Sequence, residues 1–466
     1  MQEETIAAVA TAMGEGSIGI IRLSGSNAWQ VGQSLFRKAS GKKLEIAEPR
    51  KAIYGYIEEP ASQDKIDEAL LLFMPGPHSY TGEDVLEFQL HGSAQSLSKT
   101  LELALLESGV RLAEPGEFTR RAFLNGRLDL SQAEAVIDVI RARTDRSLKA
   151  AAGQLGGALS QKMAELIGEL LPLIGRLEVV IEYPEDGLEE TYLPQVAAET
   201  QVILEKVSAL RESGREGRIL REGLATAIIG RPNVGKSSLL NYLLGEERAI
   251  VTAIAGTTRD IIEEYLSLGG IPLKLIDTAG IRETLDPIEQ IGVSRSKKAL
   301  KEAQLVLAVL DGTADLSEEE LRLIAEAGSE RTIVLLNKSD LPESIEKADQ
   351  IQDQLRKNGY EGPILSISAQ TGFGFSELSK AVENWAMKEG ALSEGSPLVT
   401  NARQIAALVG AETALKDALD ALAKNMPPDC ILVDLREALA KIGEISGQAV
   451  SEDIITHIFS QFCLGK

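Results

Sequence analysis

Short apolar runs broken by Gly and Pro open the chain, notably Gly19–Leu23, Ala69–Phe73 and Val85–Phe88. Turn chemistry separates them, as at Pro75-Gly76-Pro77 and Pro115-Gly116, which predicts an α+β domain over residues 1–119. From 120 to 219 the apolar positions recur at three and four, as in Ala133, Val136, Ile137 and Ile140, and again in Leu166, Leu170 and Leu173. That period is helical, with one turn predicted inside Tyr183–Gly187. Between 220 and 386 short apolar runs alternate with helix-length segments: Ala225–Ile229, Leu273–Ile276, Leu305–Leu310, Ile333–Leu336 and Ile364–Ile367. Strands separated in this way read as a largely parallel, doubly wound sheet. Helical periodicity returns over 387–466, for example at Ile405, Leu408, Ala411, Leu415, Leu419 and Leu422. The simplest architecture is an α/β domain inserted into a helical one, preceded by a separate α+β domain.

Charge narrows the partners. The chain carries 48 Lys and Arg against 70 Asp and Glu, a formal charge of −22. Such a field repels nucleic acid and anionic lipid, so any RNA contact needs a local basic surface. Cys430 and Cys463 are too few for a disulfide framework. The start is acidic where a secretory leader is basic, and no apolar run is long enough to span a bilayer. A soluble, cytoplasmic protein with no membrane partner is expected.

Candidate chemistry begins at Gly230-Arg231-Pro232-Asn233-Val234-Gly235-Lys236-Ser237, directly after Ala227-Ile228-Ile229. Glycines let the backbone curl until its amides point at phosphate oxygens beside a helix N-terminus. Lys236 then reaches the outer phosphates and the Ser237 hydroxyl ligates Mg²⁺, with Ser238 following in the loop. Asn337-Lys338-Ser339-Asp340 follows the run Ile333–Leu336 and selects the base. The Asp340 carboxylate accepts from guanine N1–H and the exocyclic amine; adenine has neither donor there, so a buried carboxylate would stay unpaired. Lys338 can lie along the ring, Asn337 can tie this loop to the phosphate loop, and Ser368-Ala369 can offer a backbone contact to the base oxygen. Asp277-Thr278-Ala279-Gly280 supplies a magnesium-side carboxylate and an amide that senses the γ-phosphate, and Thr258, after Thr257, a hydroxyl that closes over the metal. In this order the motifs predict a Ras-like GTPase that binds GTP and Mg²⁺.

One position departs from that pattern. Many such switches place a Gln after Asp-x-x-Gly to orient the attacking water, and here Ile281 stands there. Arg282, Glu283, Asp286, Glu289 or a second cation could do that work, or hydrolysis could wait for a partner.

The phosphate loop, Gly256-Thr257-Thr258-Arg259-Asp260 and Asp277–Arg282 resemble bacterial GTPases of the TrmE-Era-EngA type, which carry a hydrophobic residue in place of Gln. Pro75–Asp84 and the terminal Phe462-Cys463-Leu464-Gly465-Lys466 narrow the resemblance to the MnmE (TrmE) family of tRNA modification GTPases, over the whole chain. The resemblance implies a homodimer that works in a heterotetramer with a flavoprotein (MnmG, or GidA), FAD being bound by that partner alone. Together they would place an aminomethyl or carboxymethylaminomethyl group on C5 of the wobble uridine of certain tRNAs. The one-carbon unit would come from a tetrahydrofolate, in its 5-formyl or 5,10-methylene form. The implied folate residues are Arg22, Glu87 and Arg127, with Lys466 reaching in from the tail. Arg127 stands where some members have Lys, keeping the charge with a different geometry. The family also implies K⁺ held by the Asn233 side chain and by Thr252, Ile254 and Thr257, where it would place the charge an arginine finger supplies elsewhere. Glu289 is the implied water-orienting carboxylate and Arg282 a supporting switch arginine. Two other readings are a GTP-dependent switch or ribosome-assembly factor without modification chemistry, and a folate-dependent transferase merely regulated by GTP.

The remaining candidates read as structural. His78, His91 and His457 have no metal-ligand spacing. Arg211, Arg215, Arg218 and Arg221 form a helical face that reads as solvated, and Cys463 reads as a small packed residue.

Overall fold

The computed structural model describes residues 4–12, 14–44, 49–246, 264–276, 300–388, 399–448, 450–462 and 465. Seven strands form the first sheet: β1 (Thr5–Val9), β2 (Gly16–Ser24), β3 (Phe36–Lys38), β4 (Ala52–Glu58), β5 (Lys65–Met74), β6 (Val85–Gly92) and β7 (Val110–Leu112), in the order β3-β4-β5-β6-β2-β1-β7. Only β1 and β7 run parallel. Alternation sorts the faces. Ile21, Leu23, Leu71, Phe73, Leu86 and Phe88 point to one side, where they bury against the helices Ala28–Leu35 and Ala94–Leu106. The opposite face carries, in register across β5, β6, β2 and β1, the row Leu72, Glu87, Arg22 and Ala8. A charged pair in the middle of a sheet face is the first sign of a site.

At the end of this sheet Asp67 accepts hydrogen bonds from the His91 ring (2.7 Å), the His91 amide and Ser96 Oγ. The bond to Asp67 raises the pKa of the exposed His91 above its ordinary 6.5. Burial works against the Asp67 charge, but the Ser96 and His91 bonds outweigh it and lower its pKa. His91 therefore contributes stability that is present below pH 6.5 and lost as pH rises through its folded-state pKa. In an NMR titration its midpoint is expected above 6.5 and should fall in Asp67→Asn; an unchanged midpoint would remove Asp67 as the cause.

The second layer is helical: Leu130–Arg141, Asp145–Leu155, Ala158–Glu182, Glu189–Glu222, Ala402–Ala423, Pro428–Ser446 and Glu452–Ser460. Leu166, Leu170, Leu173 and Leu177 bury against Leu408, Leu415, Leu435 and Ile442. Residues on both sides of the inserted domain thus share one core, although far apart in sequence. Gly217 marks where they meet: a Cβ there would stand 1.8 Å from the Val399 carbonyl, so only glycine admits this approach. Arg215 and Arg218 of the arginine face are exposed to solvent, as expected, while Arg211 and Arg221 are half-buried against acids. Arg211 pairs with Glu412, Arg218 with Glu222 and Arg221 with Asp138, and Arg215 also has a partner. Ile140, expected in the apolar stripe, is exposed, while Glu134 and Asp138 of the same helix are buried.

The inserted domain is a six-stranded sheet of β8 (Leu224–Ile229), β9 (Glu264–Leu268), β10 (Ile271–Leu275), β11 (Leu305–Asp311), β12 (Thr332–Asn337) and β13 (Ile364–Ser366), ordered β13-β12-β11-β8-β10-β9. All pairs are parallel except β9 with β10. Apolar clusters on both faces account for the near-continuous hydrophobic strands. The domain touches the helical layer through Arg143, stacked 3.1 Å from the Tyr265 ring centroid, and Arg146, paired with Glu383 at 2.9 Å. The described residues therefore form an α+β domain, a helical domain and a Ras-like α/β domain inserted in it.

Candidate functional site

In open α/β sheets ligands sit at the carboxyl ends of the strands, and the loop after β8 leaves from there. Gly230 has φ +148°, and a Cβ on it would stand 2.3 Å from the Val309 carbonyl. Gly235 has φ +101°, and a Cβ would stand 2.1 Å from Asn337 Nδ2. Both glycines are therefore required by space as well as by conformation. Lys236 opens the helix Lys236–Glu246, and its Nζ donates to the carbonyls of Gly230 and Arg231 at 2.7 Å each. Burial pushes its pKa down, a cost that nearby phosphate charge would offset. Val234 is buried under the loop, and Ser237 and Ser238 follow in the first helical turn. Asn233 bends outward at φ +64° and is exposed, with no hydrogen bond to its side chain among the described residues.

The loop expected to read the base is bonded to this one. Asn337 Nδ2 donates to the Val234 carbonyl (2.8 Å), and its Oδ1 accepts from the Ala369 amide (3.0 Å). Ser368 Oγ donates to Asp340 Oδ1 at 2.6 Å and fixes that carboxylate. The Ser368 amide donates to the Phe373 carbonyl. A base oxygen at this place would thus share the Ala369 N–H with Asn337 rather than take it whole. Lys338 sits at φ +66° with its ammonium on Asp311 Oδ2 at 2.6 Å. Burial disfavours the Asp311 charge, but bonds from Lys338 and Thr313 win and its pKa is lowered. Sequence spacing did not reveal Asp311; strand register does, because it lies directly opposite Asn337.

Ser237 offers the hard oxygen that Mg²⁺ prefers, and the Asn233 amide oxygen suits K⁺. The other residues expected in these roles lie outside the described residues: Thr252, Ile254, Thr257, Thr258, Asp277, Thr278, Ala279, Gly280, Arg282 and Glu289, with Ile281 among them. Among the described residues no group of three or more His, Cys, Asp or Glu could hold a metal ion.

On the N-terminal sheet Arg22 Nε pairs with Glu87 Oε1 at 2.9 Å. The Arg22 guanidinium also lies 5.6 Å from the Tyr80 ring centroid and 5.9 Å from that of Phe118. Burial raises the Tyr80 pKa, and its hydroxyl meets Thr119. Beside them opens a cavity of about 520 Å³ lined by Arg50, Leu72, Met74, His78, Tyr80 and Arg127. Lys466 and Cys463 lie outside the described residues, but Gly465 is seated on the end of β1, where a Cβ would stand 2.2 Å from the Val9 carbonyl. The C-terminal helix holds the tail there: Phe459 packs on Phe123, and Phe459 and Phe462 close over Gly116. Gly465 thus lies against the sheet that carries Arg22 and Glu87.

Residues 130–463 match the family described as the MnmE helical domain, and residues 5–127 the family described as the GTP-binding protein TrmE N-terminus. Three relatives, each named tRNA modification GTPase MnmE, are similar throughout. That of Clostridioides difficile is 47% identical, covering 100% of this chain and 99% of its own length. That of Symbiobacterium thermophilum is 47% identical over 100% of both chains, and that of Geobacillus kaustophilus 47% over 99% of both. The chain belongs to the MnmE (TrmE) family of tRNA modification GTPases.

Proposed function

We propose that the protein hydrolyses GTP as part of tRNA modification, with a folate-derived one-carbon unit handled at the N-terminal sheet. The observation that carries the GTPase reading is Asn337, which bonds the phosphate loop through Val234 and the base loop through Ala369. A loop pair cross-braced in this way presents phosphate donors and the Asp340 carboxylate at a fixed separation. Gly235 and Lys236 cradle the phosphates, and Ser237 faces the magnesium position. Asn233, bent outward with its amide available, would share K⁺ with Thr252, Ile254 and Thr257. When bound, the two metal ions supply positive charge against the negative charge of the transferring phosphoryl group. Glu289 would orient water and Arg282 support it.

In the same reading Arg22, Glu87, Arg127 and Lys466 hold a tetrahydrofolate, which supplies the one-carbon unit when bound. Glu87 accepts from ring N–H groups while the Arg22 bond orients its carboxylate, and the Tyr80 and Phe118 rings lie against Arg22. The return of Gly465 to β1 supports the tail's part in this site. The protein acts in the cytoplasm as a homodimer with the FAD-bearing flavoprotein MnmG, and the product is a C5-substituted wobble uridine.

GTP turnover at equal ionic strength in KCl and in NaCl tests the potassium reading. A K⁺-specific gain on the order of 10², comparable to one transition-state charge contact, is expected, and Asn233→Ala should abolish it. Equal slow rates in both salts would overturn it and favour the GTP-dependent switch.

A further inference from the structure

The cavity beside β5 holds a charge arrangement that the folate residues do not account for. Arg50 and Arg127 both line it, and among the described residues no carboxylate does. Arg50 donates one Nη2–H to the His78 carbonyl at 2.9 Å, which holds the guanidinium beside another lining residue. Among the described residues neither arginine has an ion pair, in a chain whose net charge is −22. Two guanidiniums lining one cavity repel each other unless an anion sits between them, and fork-shaped donors match carboxylates best. The floor is of another kind: Leu72 and Met74 are apolar and Tyr80 presents a ring. Leu72 stands in register beside Glu87, which stands beside Arg22, so the floor runs directly into the Arg22–Glu87 pair. A volume of about 520 Å³ suits a ligand of drug size. The shape therefore asks for a flat hydrogen-bonding head at Glu87, an apolar middle, and an acidic end at the rim.

We propose that Arg50 is a specificity-determining residue of this site. With Arg127 it clamps the carboxylate tail of the one-carbon donor and selects donors whose tail carries several glutamyl carboxylates over those with one. The proposal rests on the folate reading of the same site and adds to it the end of the ligand that is read for charge. Arg127 alone meets one carboxylate; Arg50 gives the second positive charge that makes a longer acidic tail worth binding.

Calorimetry on the full-length protein tests this with three probes: 5-formyltetrahydrofolate monoglutamate, its triglutamate, and a reduced pterin lacking the tail. The wild type should bind the triglutamate most tightly, and added salt should narrow its lead over the monoglutamate. Arg50→Glu should weaken the triglutamate about tenfold or more and leave the tail-less pterin within about twofold. Arg50→Lys should retain part of the preference. Circular dichroism and melting establish that each variant folds. An equal loss for all three probes would make Arg50 a structural residue, and triglutamate binding unchanged in Arg50→Glu would also overturn the proposal. A wild type that binds none of the probes would instead refute the folate reading, and this proposal with it.

Discussion

Asp340→Asn is expected to cost about 10⁴- to 10⁵-fold in GTP affinity, the range seen when a site built for particular donors loses its pairing. Asp340 is held with one oxygen on Ser368 Oγ at 2.6 Å, and in the proposed reading its remaining lone pairs are left for guanine N1–H and the exocyclic amine. An Asn keeps one acceptor and turns the other into an N–H₂ donor, which meets the guanine amine donor to donor. The same change creates a match for xanthine, whose C2 carries a carbonyl in place of the amine. Affinity for xanthosine triphosphate should rise as that for GTP falls, with Mg²⁺ contacts and the phosphate loop unaltered. Competition between the two nucleotides measures both limbs. A GTP affinity within tenfold of wild type would remove Asp340 as the base reader, and so would a loss of both nucleotides together.

Much of this site is legible in the sequence because its constraints are local. Gly230 and Gly235 are demanded by backbone conformation and by neighbours less than a side chain away, and such demands leave a fixed spacing in the chain. The alternation of strands and helices over the inserted domain is local too, since a parallel sheet buried on both faces needs unbroken apolar runs. Other features depend on partners remote in sequence. Asp311 becomes the counterion of Lys338 only through the pairing of β11 with β12. Arg50 reaches the cavity because β4 and β5 bring its turn beside Arg127. The arginines of Glu189–Glu222 look solvated in isolation, yet Arg211 and Arg221 meet acids from Ala402–Ala423 and Leu130–Arg141. In the helix Leu130–Arg141 periodicity marks Ala133 and Ile137 as buried but gives no reason for Glu134 and Asp138 to be buried with them.

Those two acids explain the second large effect, the cost of removing Arg403. Its Nε and Nη2 form a fork on the Glu134 carboxylate at 2.8 and 2.9 Å, and Gln404 adds a third bond to the same group. Nη1 and Nη2 also donate to the carbonyls of Glu444 and Ile445, the open end of the helix Pro428–Ser446. Such carbonyls have no partner inside their own helix, so the guanidinium acts as its C-cap. Glu134 is 2% exposed, and water cannot replace the lost cation. Arg403→Ala should therefore destabilise the helical domain by about 3–5 kcal/mol, the usual result of stranding one half of a buried pair. Asp138 next to it, paired with Arg221 and bonded to Thr400, already has a pKa raised by burial against the pull of Arg221, so the pocket does not stabilise extra negative charge. Replacing both partners, Arg403→Met with Glu134→Leu, removes the stranded charge, and most of the loss should return. Urea unfolding of the four proteins of this cycle gives the coupling energy directly. Losses in the two single variants that simply add in the double would mean that the pair contributes nothing beyond its hydrocarbon. The expected pattern, a deep loss in the single variant and recovery in the double, would show that the loss comes from the stranded Glu134 charge rather than from a net gain by the ion pair that joins these helices. Those helices start where the chain returns from the nucleotide domain and end in the tail seated on β1.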